Sequence, residues 1–278
     1  MQIYNKTAYN IAAIVTRNYS NSFYLSTLLL EKKVKESIHG IYCFVRFADE
    51  IVDTFHEYDK THLLLNFEKE VYEAIEKGIS LNPVLHAFQS TVNKHNIPHK
   101  YIDSFLKSMK MDLNKTKYLT KTETEEYVYG SANVVGLMCL KVFCNNDEKL
   151  FGELVTPAQM LGSAFQKVNF LRDLKADTEG LKRFYFSNFD TETFNESTKN
   201  ELINEIADEF NTAYNGIIRL PGKSKLAVLT AYYYYLSLLR KIKKTDASTI
   251  LNKRVRISNS RKISLMAKAI IAYKLKLI

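Results

Sequence analysis

Asn169, Asp173 and Asp177 stand four residues apart in the segment 162–177, GSAFQKVNFLRDLKAD. On an α-helix, positions four apart stack about one turn, roughly 5.4 Å, along the same face. A carboxamide and two carboxylates therefore project from one wall as hard oxygen ligands. Donors of this kind suit Mg²⁺, which is typically held by one or two carboxylates plus phosphate oxygens. Asp49 and Asp53, in DEIVD, repeat the spacing far upstream. One such helix could be an ordinary solvated face. Two of them suggest facing walls of a metal–diphosphate site.

The context of each motif supports that pairing. In IYCFVRFADEIVD, Tyr42, Arg46, Asp49 and Asp53 step by four, three and four, while Ile41, Phe44, Val45, Phe47, Ile51 and Val52 flank them. The helix must be largely buried, and buried carboxylates need a cation or hydrogen-bond partners. An Arg46–Asp49 or Arg46–Asp53 ion-pair stripe is the purely structural alternative. Gln166, Asn169, Asp173 and Asp177 make the second stripe, and Arg172 adjoins it in position to meet a phosphate. Between the two motifs lies YVYGSANVVGLM, residues 127–138. Gly130 and Gly136 inside a helix each cost roughly 1 kcal/mol against Ala, so something approaches closely there, more often a neighbouring helix than a ligand. Tyr129 could line a cavity or be a buried tyrosine with a satisfied hydroxyl. Ser22 and Phe23 open an early helix whose free N–H groups and hydroxyl can bind phosphate. Arg183, Arg254 and Lys262 lie near segment ends, and each taken singly reads as a surface charge.

The elements that must position these side chains read as helices. Four prolines and nine glycines in 278 residues favour long uninterrupted helices. Apolar residues at three-four spacing mark helices over 22–30, 34–55 and 61–77, the last stopped by Gly78. Further helices are expected from Asn82–Pro83 to about His95, over 100–112, and over 122–143 after a polar loop at 113–121. The helix 122–143 opens on a capping-box pattern, Thr122 with Glu125. Thr156–Pro157 is expected to start the helix carrying the second motif, with Pro at the first helical position and Gly180 near its end. Helices over 200–219, 223–244 and 261–277 complete the chain. The expectation is all-α: a single domain, 1–278, forming a bundle around a central cavity.

Composition narrows the partners. Thirty-nine Lys+Arg against thirty Asp+Glu give a net charge of +9, which suits an anionic partner. The sign alone does not choose among nucleic acid, phosphorylated substrate and acidic lipid, and the lysines are spread widely enough for much of the excess to be solvated surface. Cys43, Cys139 and Cys144 sit in apolar contexts with no CxxC, which reads as buried thiols in a reducing compartment. No secretory h-region and no run of about 18 apolar residues is seen, so no membrane-spanning helix is expected. Arg261, Lys262, Lys268, Lys274 and Lys276 among Ile, Leu and Ala make a basic C-terminal helix that could touch anionic lipid or simply cap the bundle.

The strings SFYLSTLLL, IYCFVRFADEIVD, YVYGSANVVGLM, LGSAFQKVNFLRDLKAD and RFYF, in that order from Ser22 onward, resemble the squalene/phytoene synthase family, and within it the bacterial phytoene synthases most. The resemblance implies an all-helical isoprenoid-synthase fold. It implies head-to-head condensation of two prenyl diphosphates, geranylgeranyl diphosphate in the phytoene branch and farnesyl diphosphate in the dehydrosqualene branch, through a cyclopropyl diphosphate on Mg²⁺, with Mn²⁺ as a substitute. Asp49 and Asp53 match the family's first aspartate-rich motif, and Asn169, Asp173 and Asp177 the second. Tyr42, Arg46, Tyr129, Gln166 and Arg172 match positions around the diphosphates and reacting carbons. Ser22, Phe23, Tyr235 and Arg254 fall at positions the family uses near substrate. Glu50 stands where the first motif often has another aspartate. The segment TEGLKRFYFS is about one residue longer than usual and lacks a proline after its Tyr-Phe, which leaves the role of Arg183 open. No dinucleotide fingerprint and no C-terminal anchor follow, so the resemblance implies phytoene-type chemistry without NADPH. It implies a cytoplasmic protein with peripheral contact at the inner membrane face and no nucleic-acid partner. A non-catalytic membrane-associated descendant of the fold would be expected to lose the aspartates, and all four are present.

Overall fold

A computed structural model describes residues 1–118, 120–181, 183–186 and 193–277. Among the described residues the regular elements are helices joined by turns and loops, with one isolated parallel bridge between Lys117 and Phe184. Thirteen helices follow one another: α1 Gln2–Tyr19, α2 Asn21–Thr27, α3 Lys32–Asp53, α4 Lys60–Lys77, α5 Pro83–Lys94, α6 His99–Asn114, α7 Lys121–Val128, α8 Val134–Cys144, α9 Glu148–Glu179, α10 Glu196–Ile217, α11 Gly222–Lys243, α12 Ala247–Asn252 and α13 Asn259–Lys274. A π-helical turn, Tyr129–Asn133, joins α7 to α8. Leu119, Lys182 and residues 187–192 lie outside the described residues, so the expected loop at 113–121 and the TEGLKRFYFS segment are described only in part.

Several ends are set by local chemistry. Asp59 accepts from the His62 N–H to cap α4, and Gly78 ends it in the left-handed region at φ 66°. The capping box of α7 is Thr120 with Glu123 rather than Thr122 with Glu125. Both pairs satisfy the T-x-x-E pattern, and the earlier one lies where the chain leaves extended backbone.

Two expectations are corrected along α9 and α1. The second-motif helix does not begin at Pro157. It begins at Glu148, capped by the Asp147 carboxylate accepting from the Leu150 N–H, and Pro157 lies inside it. The proline ring is accommodated because α10 presents Gly216 there; a Cβ on Gly216 would come within 2.3 Å of the Pro157 Cβ. α1 carried no expectation, yet it is eighteen residues long and buries Ala8, Ala12, Val15 and Thr16 against α3 and α5.

The long helices run side by side in a definite register. A Cβ on Gly136 would sit 2.9 Å from the Ala158 carbonyl oxygen, and one on Gly162 would sit 2.7 Å from that of Ala132. α8 and α9 are thus antiparallel and nearly in backbone contact. Gly130 meets α6 in the same way, 2.4 Å from the Ser104 carbonyl oxygen. α10 is antiparallel to α9, paired through Lys167–Glu209 at 2.5 Å and Arg219–Glu153. One apolar cluster centres on α3, α5, α6 and α8, and another on α9, α10 and α11. The span Lys121–Cys144 is long and apolar enough to cross a membrane by length and composition, but it is mostly buried inside the bundle. Cys43 and Cys144 are buried, and all three thiols are free.

Candidate active site

A cavity of about 910 Å³ lies between α2, α3, α8, α9 and α11, near the upper end of the usual range for ligand pockets. Its two ends differ in chemistry. Asp49, Arg46 and Tyr42 of α3 line one end together with Gln166, Asn169, Arg172 and Asp173 of α9, Tyr235 of α11 and Arg254. Leu30, Ile38, Leu140, Phe143, Leu154 and Leu220 line the other. Ser22 and Phe23 of α2 also face it, with the Phe23 ring stacked on Tyr42 at 4.9 Å. α2 is capped by Ser20, which accepts from the Phe23 N–H at 3.4 Å, so the helix begins at Asn21, one residue before Ser22.

The aspartates crowd one another across the gap. Asp49 is pushed up to about 8 by burial, with Asp53 adding to the rise and Arg46 opposing it. Asp177 is pushed up to about 7 by burial and by Asp173 and Asp53. The first and second motifs therefore feel each other's charge, as facing walls require. Arg46 pairs with Glu50 rather than with either motif aspartate, so the structural ion-pair stripe does not form. Asp173 is held by Arg172 on its own helix and by Arg254, whose Nε lies 2.6 Å away. The Tyr235 hydroxyl donates to Asn169 at 3.2 Å. Among the described residues, no three acidic, histidine or cysteine side chains converge on one point. The oxygens form two facing sets rather than a closed cage, the arrangement that leaves coordination positions for water and phosphate oxygens. Uncompensated carboxylates raised this far fit a divalent cation. Buried donors without partners, the Arg46 Nε and the Ser131 Oγ, fit an anionic ligand beside it.

Two expected placements are corrected. Tyr129 does not line the cavity; it is 36% exposed, whereas Tyr127 is buried and faces the cavity. The π-helical turn starts at Tyr129 and inserts an extra residue into the helix, so a four-residue stripe cannot be carried through it. Arg183 is not a surface charge: it is 5% exposed. Its guanidinium donates to Asp53 at 2.6 Å, to the Asp112 carbonyl at 2.8 Å and to the Val52 carbonyl at 3.3 Å. Asp112 accepts from the Tyr127 hydroxyl at 2.7 Å and from Tyr118 at 3.4 Å, and burial pushes its carboxyl up to about 7. Asp53 is thus tied to a buried Arg183–Asp112–Tyr127 network that reaches the cavity wall. Nothing in the spacing around Asp112 marks it. The RFYF string was the one available signal for Arg183.

The squalene/phytoene synthase family profile matches residues 16–261. A phytoene synthase of Arthrospira platensis is 27% identical over 282 residues, covering 92% of this chain and 90% of its own. A 15-cis-phytoene synthase of Synechocystis is 28% identical, covering 92% of this chain and 82% of its own. Among solved structures, a dehydrosqualene synthase in complex with ligand superposes with a TM-score of 0.82 at 21% identity, over 98% of both chains. A squalene synthase from Alicyclobacillus acidocaldarius gives 0.75 at 19%, over 87% of this chain and 95% of that one. These likenesses establish the all-α isoprenoid-synthase fold.

Proposed function

Because the chain belongs to the squalene/phytoene synthase family, we propose that it is a prenyltransferase that condenses two geranylgeranyl diphosphates head to head, through the cyclopropyl prephytoene diphosphate, to phytoene. The observation that carries this reading is the polarity of the cavity of about 910 Å³: Asp49 and Asp173 line one end from facing helices, with Asp53 and Asp177 one turn further along those helices and outside the lining, while Leu30, Ile38, Phe143, Leu154 and Leu220 line the other end. Such a space grips a diphosphate at the acidic end and sheathes a hydrocarbon tail along the rest.

Depth supports the longer substrate. Nineteen residues of α9 separate Asp173 from Leu154, about 28 Å of helix. Four carbon–carbon bonds per isoprene unit, each about 1.5 Å, project to roughly 5 Å in an extended chain. A C20 tail of about 20 Å leaves about 8 Å for its diphosphate, whereas a C15 tail of about 15 Å leaves about 13 Å, roughly 5 Å more than the same diphosphate would fill. The names of the Arthrospira and Synechocystis relatives point the same way.

Asp49 and Asp53 on one wall and Asn169, Asp173 and Asp177 on the other would hold Mg²⁺ or Mn²⁺, which would neutralise the diphosphate and ease its departure. The protein's own groups do the rest. Arg46, Arg172 and Arg254 offer cations to phosphate oxygens. Phe23, Tyr42, Phe165 and Tyr235 wall the same end, exclude water and present ring faces to a developing allylic cation. The condensation ends by proton loss, so it calls for no NADPH. The same reading makes the protein cytoplasmic, with peripheral contact at an anionic membrane that can take up a C40 hydrocarbon.

The test is to incubate purified protein with Mg²⁺ and the C20 diphosphate, then measure extracted lipid and released diphosphate. Phytoene with two diphosphates per molecule is the expected result. Turnover of the C15 diphosphate alone, giving dehydrosqualene, would overturn the chain-length assignment.

A further inference from the structure

Helix α13 carries a face that the rest of the molecule leaves uncovered. Ile263, Ala267, Ile271 and Leu275 recur at every fourth position, and Ile263, Ile271 and Leu275 are 59, 57 and 63% exposed. Leu265 and Ala269, on the opposite side of the helix, are buried. Along one edge of this apolar stripe a second pocket, about 220 Å³, opens between α11 and α13. Its polar lining is Tyr233, Ser237, Arg240, Arg261, Ser264 and Lys268. The Lys268 ammonium sits 5.0 Å over the Tyr233 ring. Among the described residues, none of the three cations is paired with a carboxylate. From Lys253 onward the sequence holds eight Lys and Arg and no acidic residue.

A pocket with three cations and three hydroxyls is made for a phosphate. The exposed stripe beside it decides which phosphate: a free anion has no use for Ile263, Ile271 and Leu275, whereas a phospholipid presents its headgroup and its acyl chains side by side. The helix also adjoins the active cavity, because Asn259 and Lys262 in its first turn line that cavity. We propose that the α11–α13 pocket is an anionic phospholipid headgroup site, and that α13 lies on the bilayer with its apolar stripe toward the acyl chains. The inference rests on the peripheral contact proposed above and adds the binding element and the ligand.

The chain contains no Trp, so Ile271→Trp in the full-length protein supplies a single emitter on the stripe. Phosphatidylglycerol vesicles are expected to shift its emission to the blue. The response should weaken as salt rises, and phosphatidylcholine vesicles should give none. In that background, each of Arg240→Ala, Arg261→Ala and Lys268→Ala should weaken vesicle binding roughly fivefold, and the three together more than a hundredfold. Lys33→Ala, Lys94→Ala and Lys149→Ala together remove the same net charge elsewhere and should cost under about threefold, with circular dichroism confirming the fold of both triple variants. If both triple variants lose binding equally, or the pocket variant loses none, the headgroup site is wrong while peripheral contact stands. If the parent protein responds to neither vesicle, the peripheral reading itself fails.

Discussion

Replacing Arg183 by Met tests whether the buried network beneath Asp53 holds the site together. The guanidinium is 6% exposed as a side chain and faces Asp112, 3% exposed, at 3.8 Å. It also donates to Asp53 and to two backbone carbonyls. Removing one partner of a buried pair typically costs about 3–5 kcal/mol, because the remaining charge is left uncompensated. For a chain of this size each kcal/mol moves Tm by about 2–4 °C, so a fall of roughly 6–20 °C is expected. The pH dependence adds a second signature. Asp112 already titrates at about 7, above its unfolded value, so its contribution to stability is present at low pH and is lost as pH rises through 7. Arg183 opposes that rise. Without it the carboxyl is pushed higher still, and the loss in Tm should be larger at pH 8 than at pH 5. Adding Asp112→Asn to Arg183→Met should recover at least about half of the loss, because no buried charge then remains. Differential scanning calorimetry of the single and double variants at both pH values measures all of this. A loss below about 1 kcal/mol, or a double variant no better than the single, would refute the reasoning.

The remaining expectations concern the tyrosines, the carboxylates and helix packing. Tyr127→Phe leaves Asp112 without its 2.7 Å hydrogen bond and should cost about 1–3 kcal/mol and lower turnover, whereas Tyr129→Phe should change stability by under about 0.5 kcal/mol and leave turnover intact. The raised Asp49 and Asp177 carboxyls make metal-free protein lose stability as pH rises from about 4 to 8, so Mg²⁺ with a non-reactive diphosphate should raise Tm more at pH 8 than at pH 5 by thermal scan. Gly162→Val sets a Cβ 2.7 Å from the Ala132 carbonyl oxygen and should destabilise by about 1–3 kcal/mol in urea titration, while Gly152→Val, with nothing within 4 Å, should cost under about 1 kcal/mol.

The two aspartate stripes were legible in the sequence because polar residues at a repeat of four stand out inside apolar helices. Apolar residues at three-four spacing placed α3 and α4, and Asn82–Pro83 placed the start of α5, each to within a residue or two. α1 escaped because its buried face is mostly Ala8 and Ala12, whose small side chains carry little periodic signal. Pro157 misled because a proline at the first helical turn is the common case, whereas here it lies inside α9 with Gly216 leaving its ring room against α10. Tyr129 was named through the family resemblance, and spacing could not choose between it and Tyr127, because the π-helical turn that begins at Tyr129 breaks the regular helical repeat there. Arg183 and Asp112 are 71 residues apart in sequence and meet only through tertiary packing, so neither could be paired from spacing. The floor of the cavity, Phe143 with Leu154 and Leu220, likewise needs the antiparallel register of α8, α9 and α10 before it exists.

Equimolar C15 and C20 diphosphates in a single incubation with Mg²⁺, followed by mass analysis of the hydrocarbon products, read the reaction type and the chain length together. The account predicts a C40 hydrocarbon, phytoene, as the dominant product, with formation lost when Mg²⁺ is chelated. A dominant C30 product, or a monomeric C20 alcohol or cyclic hydrocarbon in place of any dimer, would contradict it.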